Sequence, residues 1–237
     1  RMSIGVQQTP IKSPIDLKEI LSNIEELPTI PETLIQILKV LDDPDSGPSD
    51  LANVVRLDLP LMSKILRLAN SPYYSQRGDI SDINRCVAVL GYRTVRQVAI
   101  CVTVATTLVT AVSRSKGRLD YRELWRHSVV TGAITKHLAK MVGYPDPEEV
   151  FTFGLLHDIG KFVLEIHAPE AYDRVIQARA ELSRPLVELE EETFGFSHAS
   201  VGQAFGASWR FPAIMVRVFG EHHATDLVGP AKERGDL

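Results

Sequence analysis

Apolar residues in this chain recur at three- and four-residue intervals almost throughout, and nowhere do they alternate with polar residues over the length of a strand. That spacing lines side chains along one face of a helix, whereas a half-buried strand needs a period of two. The pattern therefore restricts the chain to an all-α fold. Pro14 stands in a first helical turn ahead of Ile15, Leu17, Ile20, Leu21 and Ile24. The segment from Leu27 to Pro31 breaks that helix, and Leu34, Ile35, Leu38 and Leu41 form the next stripe before Asp42-Asp43-Pro44-Asp45 stops it. Ser49 reads as the N-cap of a helix over Leu51–Leu57, and Pro60 opens another that ends at Asn70-Ser71-Pro72. Further helices are expected over Asp79–Leu90, closed by Gly91, and over Thr94–Val112.

Residues 113–120 form a polar, basic, glycine-bearing break, and a subdomain boundary is placed there. Beyond it the spacing predicts helices over Tyr121–Val142 and Asp146–Leu156, and then over 169–182, 186–194, 198–207 and 212–222. The most apolar stretch, Val98–Val112, contains Thr103, Thr106 and Thr107 and is read as a buried core helix, so no membrane partner is expected. Residues 1–13 lack the apolar run of a secretory signal.

Charge narrows the partners. Against 26 basic residues the chain has 30 acidic ones, a net charge of −4, where a nucleic-acid binder usually carries a basic surplus. Leu51 to Arg67 has the outline of a helix-turn-helix, but its second helix offers only Lys64 and Arg67, so no nucleic-acid partner is expected. Cys86 and Cys101 both lie in apolar helical patterns and read as buried reduced thiols, which suits a cytoplasmic location.

The chemistry is concentrated in the second half, where all seven histidines lie beyond residue 120. In Leu155-Leu156-His157-Asp158-Ile159-Gly160-Lys161 an imidazole and a carboxylate are adjacent, a donor mixture accepted by divalent ions such as Fe, Mn, Zn or Ni. Gly160 would let the backbone approach an anion and Lys161 would bring a point charge to a phosphate. His222-His223 closes an apolar helix, His127 lies one turn into the long helix after the break, and His198 stands where another helix opens. Neighbours on a helix point about 100° apart, so adjacent ligands share one site only near helix ends or around two ions. Separate helices would have to converge, as they do in bundle metal sites. Ordinary readings stand beside these: a packed His157 with a capping Asp158, a solvated helix end at His222-His223, a half-buried His127 beside Trp125, and a surface cap at His198. Lys161 can be read as a solvated helix lysine. His137 and His167 read as ordinary partly exposed residues, and Glu188, Glu190, Glu191 and Glu192 as a solvated helix face.

The order His127, His157-Asp158, His198, His222-His223 resembles the HD superfamily of metal-dependent phosphohydrolases. Leu27-Pro28-Thr29-Ile30-Pro31, Leu41-Asp42-Asp43-Pro44, Leu66-Arg67-Leu68-Ala69-Asn70-Ser71, Val89-Leu90-Gly91 and Phe194-Gly195 with His198, Gly202 and Trp209 narrow the likeness to the HDOD family, HD-related output domains. The likeness covers roughly residues 17–225. It implies a multi-helix HD-superfamily-like bundle, with an N-terminal helical subdomain over 14–113 and an HD-like subdomain with the His/Asp site over 119–237. It also implies a bacterial signal-transduction output or scaffold domain whose partners are other signalling proteins or domains. The implied metal ligands are His127, His157, Asp158, His198, His222 and His223, around one or two divalent transition-metal ions.

Many members of the family are thought to lack the catalytic ligands of true HD enzymes, yet this sequence keeps all six candidates. Active HD enzymes add an aspartate some turns past the histidine pair; Asp226 is too close to the pair and Asp236 is poorly placed. Ala224-Thr225-Asp226-Leu227 stands where cyclic di-GMP phosphodiesterases of the HD-GYP type carry Gly-Tyr-Pro. The expectation is a non-catalytic signalling domain with a metal site. The alternative is a metal-dependent phosphohydrolase acting on a nucleotide or phosphoester, with Asp158 and Lys161 in catalytic roles.

Overall fold

The computed structural model describes residues 30–72, 74, 80–115, 117 and 119–224. The helix expected over Ile15–Ile24, the residues before Ile30 in the Leu27–Pro31 motif, Asp79, Asp226 and Asp236 lie outside them. Among the described residues every regular element is a helix. The first part holds α1 (Glu32–Asp42), α2 (Pro48–Leu57), α3 (Leu59–Ala69), α4 (Ile83–Leu90) and α5 (Tyr92–Val112). The second holds α6 (Tyr121–Met141), α7 (Pro147–Leu156), α8 (Ile159–His167), α9 (Pro169–Leu182), α10 (Leu186–Phe194), α11 (His198–Ser208) and α12 (Ala213–Glu221).

Several helix starts differ from the sequence expectation. At α2 the cap is Gly47, not Ser49: Pro48 takes the first helical position and the Gly47 N–H donates to Asp50 Oδ2 at 2.9 Å. Helix α4 is capped by Asp82, whose carboxylate accepts from the Arg85 N–H at 3.1 Å, so the helix begins at Ile83. Gly91, at φ 86°, both ends α4 and opens α5, which therefore begins at Tyr92 and not at Thr94.

α5 is the central beam. It packs against α1 and α3 on one side and against α7 and α8 on the other. By length and composition α5 could cross a membrane; half of its most apolar window is buried, in contact with these helices. Val95, Ala99, Ile100, Val104 and Leu108 line its inner faces. One continuous apolar cluster runs from Leu34 in α1 through α5 to Phe219 in α12, so the core crosses the 113–120 break. Cys86 and Cys101 are buried, unpaired thiols within it. The Cys101 S–H lies 3.6 Å from Thr152 Oγ, and burial pushes its thiol up to about 12.

Candidate metal centre

Two helix crossings in the second part position the centre, and both depend on missing side chains. α6 crosses α7 where a Cβ on Gly154 would lie 2.8 Å from Gly132 Cα, and one on Gly132 would lie 2.8 Å from the Phe151 carbonyl oxygen. α8 crosses α11 where a Cβ on Gly160 would run into the carbonyl oxygen of His198 and lie 2.7 Å from Gly202 N. The sequence reading gave Gly160 to anion approach; its bare backbone is used instead to let α11 come close. Each crossing lies within about a turn or two of ligand residues: His127 and His157 at the first, Asp158 and His198 at the second.

Adjacent ligands reach one place because they stand at helix ends. His157 and Asp158 occupy the break between α7 and α8, and His222 and His223 follow the last residue of α12. Asp158 N-caps α8 by position, but its side chain makes no capping bond. Its carboxylate, 1 % exposed, turns to the histidines. Oδ2 lies 3.3 Å from His157 Nε2 and 3.5 Å from His127 Nε2. Oδ1 lies 3.3 Å from His198 Nε2 and 3.6 Å from His222 Nε2. His198 Nε2 is 3.0 Å from His223 Nε2 and 3.3 Å from His222 Nε2, while His127 and His157 bring their Nε2 atoms to 3.3 Å. All six predicted ligands therefore meet. They form two groups that could each hold an ion, Asp158-His198-His222-His223 and His127-His157-Asp158, with Asp158 common to both.

The far sides of three imidazoles fix how they present themselves. His157 Nδ1 faces the Gly154 carbonyl at 2.8 Å, His222 Nδ1 the Phe219 carbonyl at 2.9 Å, and His198 Nδ1 the Glu190 carboxylate at 2.6 Å. Acceptors there assign the proton to Nδ1 and leave each Nε2 lone pair pointing inward. The Nε2 lone pairs of His198 and His222, converging at 3.3 Å, repel unless something positive lies between them. An ion about 2.0–2.1 Å from each nitrogen would hold two of them about 2.9–3.4 Å apart. Asp158 Oδ1, buried and without a hydrogen-bond partner among the described residues, is the matching anionic donor. The residues present fit a divalent ion.

Burial pushes the Asp158 carboxyl up, but the close approach of His157, His198 and His222 and the Lys161 charge outweigh it and hold the group far below the usual carboxylate range. Burial lowers His223 to about 4, helped by the charges of His222 and His198, and also lowers the more exposed His127. His198 is raised: burial opposes its charge, but the carboxylates of Asp158 and Glu190 beside it prevail. The Lys161 ammonium sits on Asp158 Oδ2 at 2.7 Å, so any phosphate contact would compete with that ion pair. His137 is exposed, His167 is half-buried, and neither belongs to the two groups.

Glu190 is the residue that sequence reasoning misplaced. Glu188, Glu191 and Glu192 are exposed as expected, but Glu190 is fully buried. It accepts from the His198 backbone N–H at 2.8 Å and from the Tyr172 hydroxyl at 3.2 Å, besides its 2.6 Å contact with His198 Nδ1. The signal that could have found it is helical period: Glu190 lies four residues after Leu186 and four before Phe194, both buried.

Residues 27–225 match the family model described as HDOD domain. A crystal structure of an HDOD domain protein from Geobacter sulfurreducens shares 30% sequence identity and superposes with a TM-score of 0.76, over 90% of this chain and 70% of that one. A protein of Shewanella amazonensis SB2B, described there as a candidate phosphohydrolase, shares 28% identity at a TM-score of 0.72, over 88% of this chain and 72% of its own. An uncharacterized protein of Treponema pallidum (strain Nichols) is 25% identical over 205 residues, which are 86% of this chain and 39% of the relative. The chain thus spans about two fifths of the length of that curated relative.

Proposed function

The chain belongs to the HDOD domain family, and from that premise we propose that it is a signal-transduction output domain in which the His/Asp centre holds one or two divalent transition-metal ions. The observation that carries this reading is Asp158, a buried carboxylate with one oxygen toward His127 and His157 and the other, otherwise unpartnered, toward His198 and His222. Stability alone gives no reason to gather five imidazoles and turn their Nε2 atoms on one another. Within this reading the division into 14–113 and 119–237 has a purpose: every ligand comes from the second part, which leaves the first free to meet other signalling proteins or domains. Buried thiols at Cys86 and Cys101 suit the cytoplasm.

A second reading is favoured by Lys161 and by the open side of the site at His127, whose side chain is 54% exposed. It is a metal-dependent phosphohydrolase acting on a nucleotide or phosphoester; the Shewanella relative is described as a candidate phosphohydrolase. A bound divalent ion would activate a water and polarise the phosphorus–oxygen bond. The chain's own part would be to hold the ligands at fixed spacing, to keep Asp158 ionised through Lys161, and to admit the phosphoester from the His127 side.

Elemental analysis of protein purified without chelator tests the first reading: stoichiometric transition metal is expected in the parent and none in Asp158→Ala. Full metal retained by Asp158→Ala would overturn it. With Mn or Fe added, turnover of aryl phosphates and phosphodiesters above the Asp158→Ala blank would favour the second reading, and none would end it for those substrates.

A further inference from the structure

Away from the His/Asp centre, a cavity of about 410 Å³ lies where α3, α5, α6 and α7 come together. That is within the range of small-molecule sites, roughly 300–1,000 Å³, which favour junctions between structural units. Val98 and Val102 of α5 and Leu155 of α7 give it apolar walls, and Trp125 and Phe151 add ring surface. Gln97, 4% exposed, also lines it. Its side-chain carbonyl accepts from Thr152 Oγ at 2.8 Å.

The charges on the lining do not cancel. Lys136 pairs with Glu148 at 2.5 Å. Lys64 Nζ donates to the Thr106 hydroxyl at 2.7 Å, and no described carboxylate pairs with it. One unmatched ammonium beside an apolar, ring-lined space is complementary to a flat apolar body carrying one negative charge. We propose that this cavity binds a small aromatic anion, its rings among the apolar walls and its anionic group at Lys64. Such a ligand touches helices of the first part (α3, α5) and of the second (α6, α7) together, so its binding fixes the two parts against each other.

The test uses 8-anilinonaphthalene-1-sulfonate, an aromatic anion whose fluorescence rises on transfer from water. The same dye also adheres to exposed apolar surface, and α6 has such surface at Val130, Ile134 and Leu138. Titration of the parent is expected to show saturable binding at one site. Ala105→Trp, which fills the cavity, is expected to abolish it; Lys64→Glu is expected to weaken it about tenfold or more. Ile134→Ser and Leu138→Ser are expected to leave it unchanged. The uncharged N-phenyl-1-naphthylamine is expected to bind about tenfold more weakly than the sulfonate. Should Ala105→Trp fail to fold, Lys64→Glu, an exposed position, decides the matter. Binding lost in the α6 variants and kept in Lys64→Glu, or equal affinity for the charged and uncharged dyes, overturns the proposal.

Discussion

Glu190 holds His198 from behind, and its removal separates orientation from ligation. Replacement by Gln keeps the size but can satisfy only part of what the carboxylate accepts from the His198 backbone N–H, its Nδ1 and the Tyr172 hydroxyl. A carboxylate behind a metal-bound histidine typically matters 10–100-fold in affinity. Glu190→Gln should therefore lower metal affinity by about that factor, read by competition with a chromogenic chelator, while stoichiometry at saturating metal is kept. The cluster itself was legible because imidazoles beside one carboxylate have a chemical identity that survives without coordinates. Glu190 was not: in a run of four glutamates only the phase of the helix distinguishes the buried one, and Leu186 and Phe194 supply that phase only once α10 is known to pack inward.

Among the elements, the α8–α11 crossing is the most exacting. A methyl group at Gly160 meets backbone, the His198 carbonyl oxygen and Gly202 N, which cannot turn aside. A methyl group at Gly202 meets Gly160 N at 3.3 Å and the Ile159 side chain at 3.4 Å, contacts that yield with a small shift. Gly160→Ala should thus cost about 1–3 kcal/mol, the usual range for overpacking, and should displace His198 enough to weaken metal binding. Gly202→Ala should do markedly less of both. Denaturant melts with metal titrations on the two variants check the order, and equal effects would sink the argument. Helix positions were largely legible, since Pro147, Pro169 and the glycine after Phe194 mark ends by their own backbone limits. The crossing was not, because Gly160 and Gly202 are far apart in sequence and nothing local announces that they touch.

For the molecule as a whole, the join between the two parts contains a group that titrates near neutrality. Glu165, 1% exposed, receives the Leu119 N–H at 3.3 Å, and its backbone carbonyl receives the Ser115 hydroxyl at 3.0 Å. Burial, aided by the charge of Asp173 and opposed by the Leu119 bond, raises its carboxyl from 4.5 to about 7. The folded state then binds a proton that the unfolded state releases between those values, so this group's contribution to stability is greatest at and below pH 4.5 and is lost as pH rises through 7. Glu165→Gln keeps the acceptor for Leu119 without the charge. Its melting temperature should exceed the parent's at pH 8 by a few degrees, at roughly 2–4 °C per kcal/mol, with the gap closing toward pH 5. A gap that widens on acidification would contradict the assignment.

The shared carboxylate has a further consequence. Histidines contributed by the first turns of α6, the start of α11 and the exit of α12 all report to Asp158, so an ion there would act as a clasp on chain from His127 to His223. Were an ion bound there, closing a clasp over so long a stretch would tie the stability of the second half to its supply. Loss of that ion would then loosen helices far apart in the chain together.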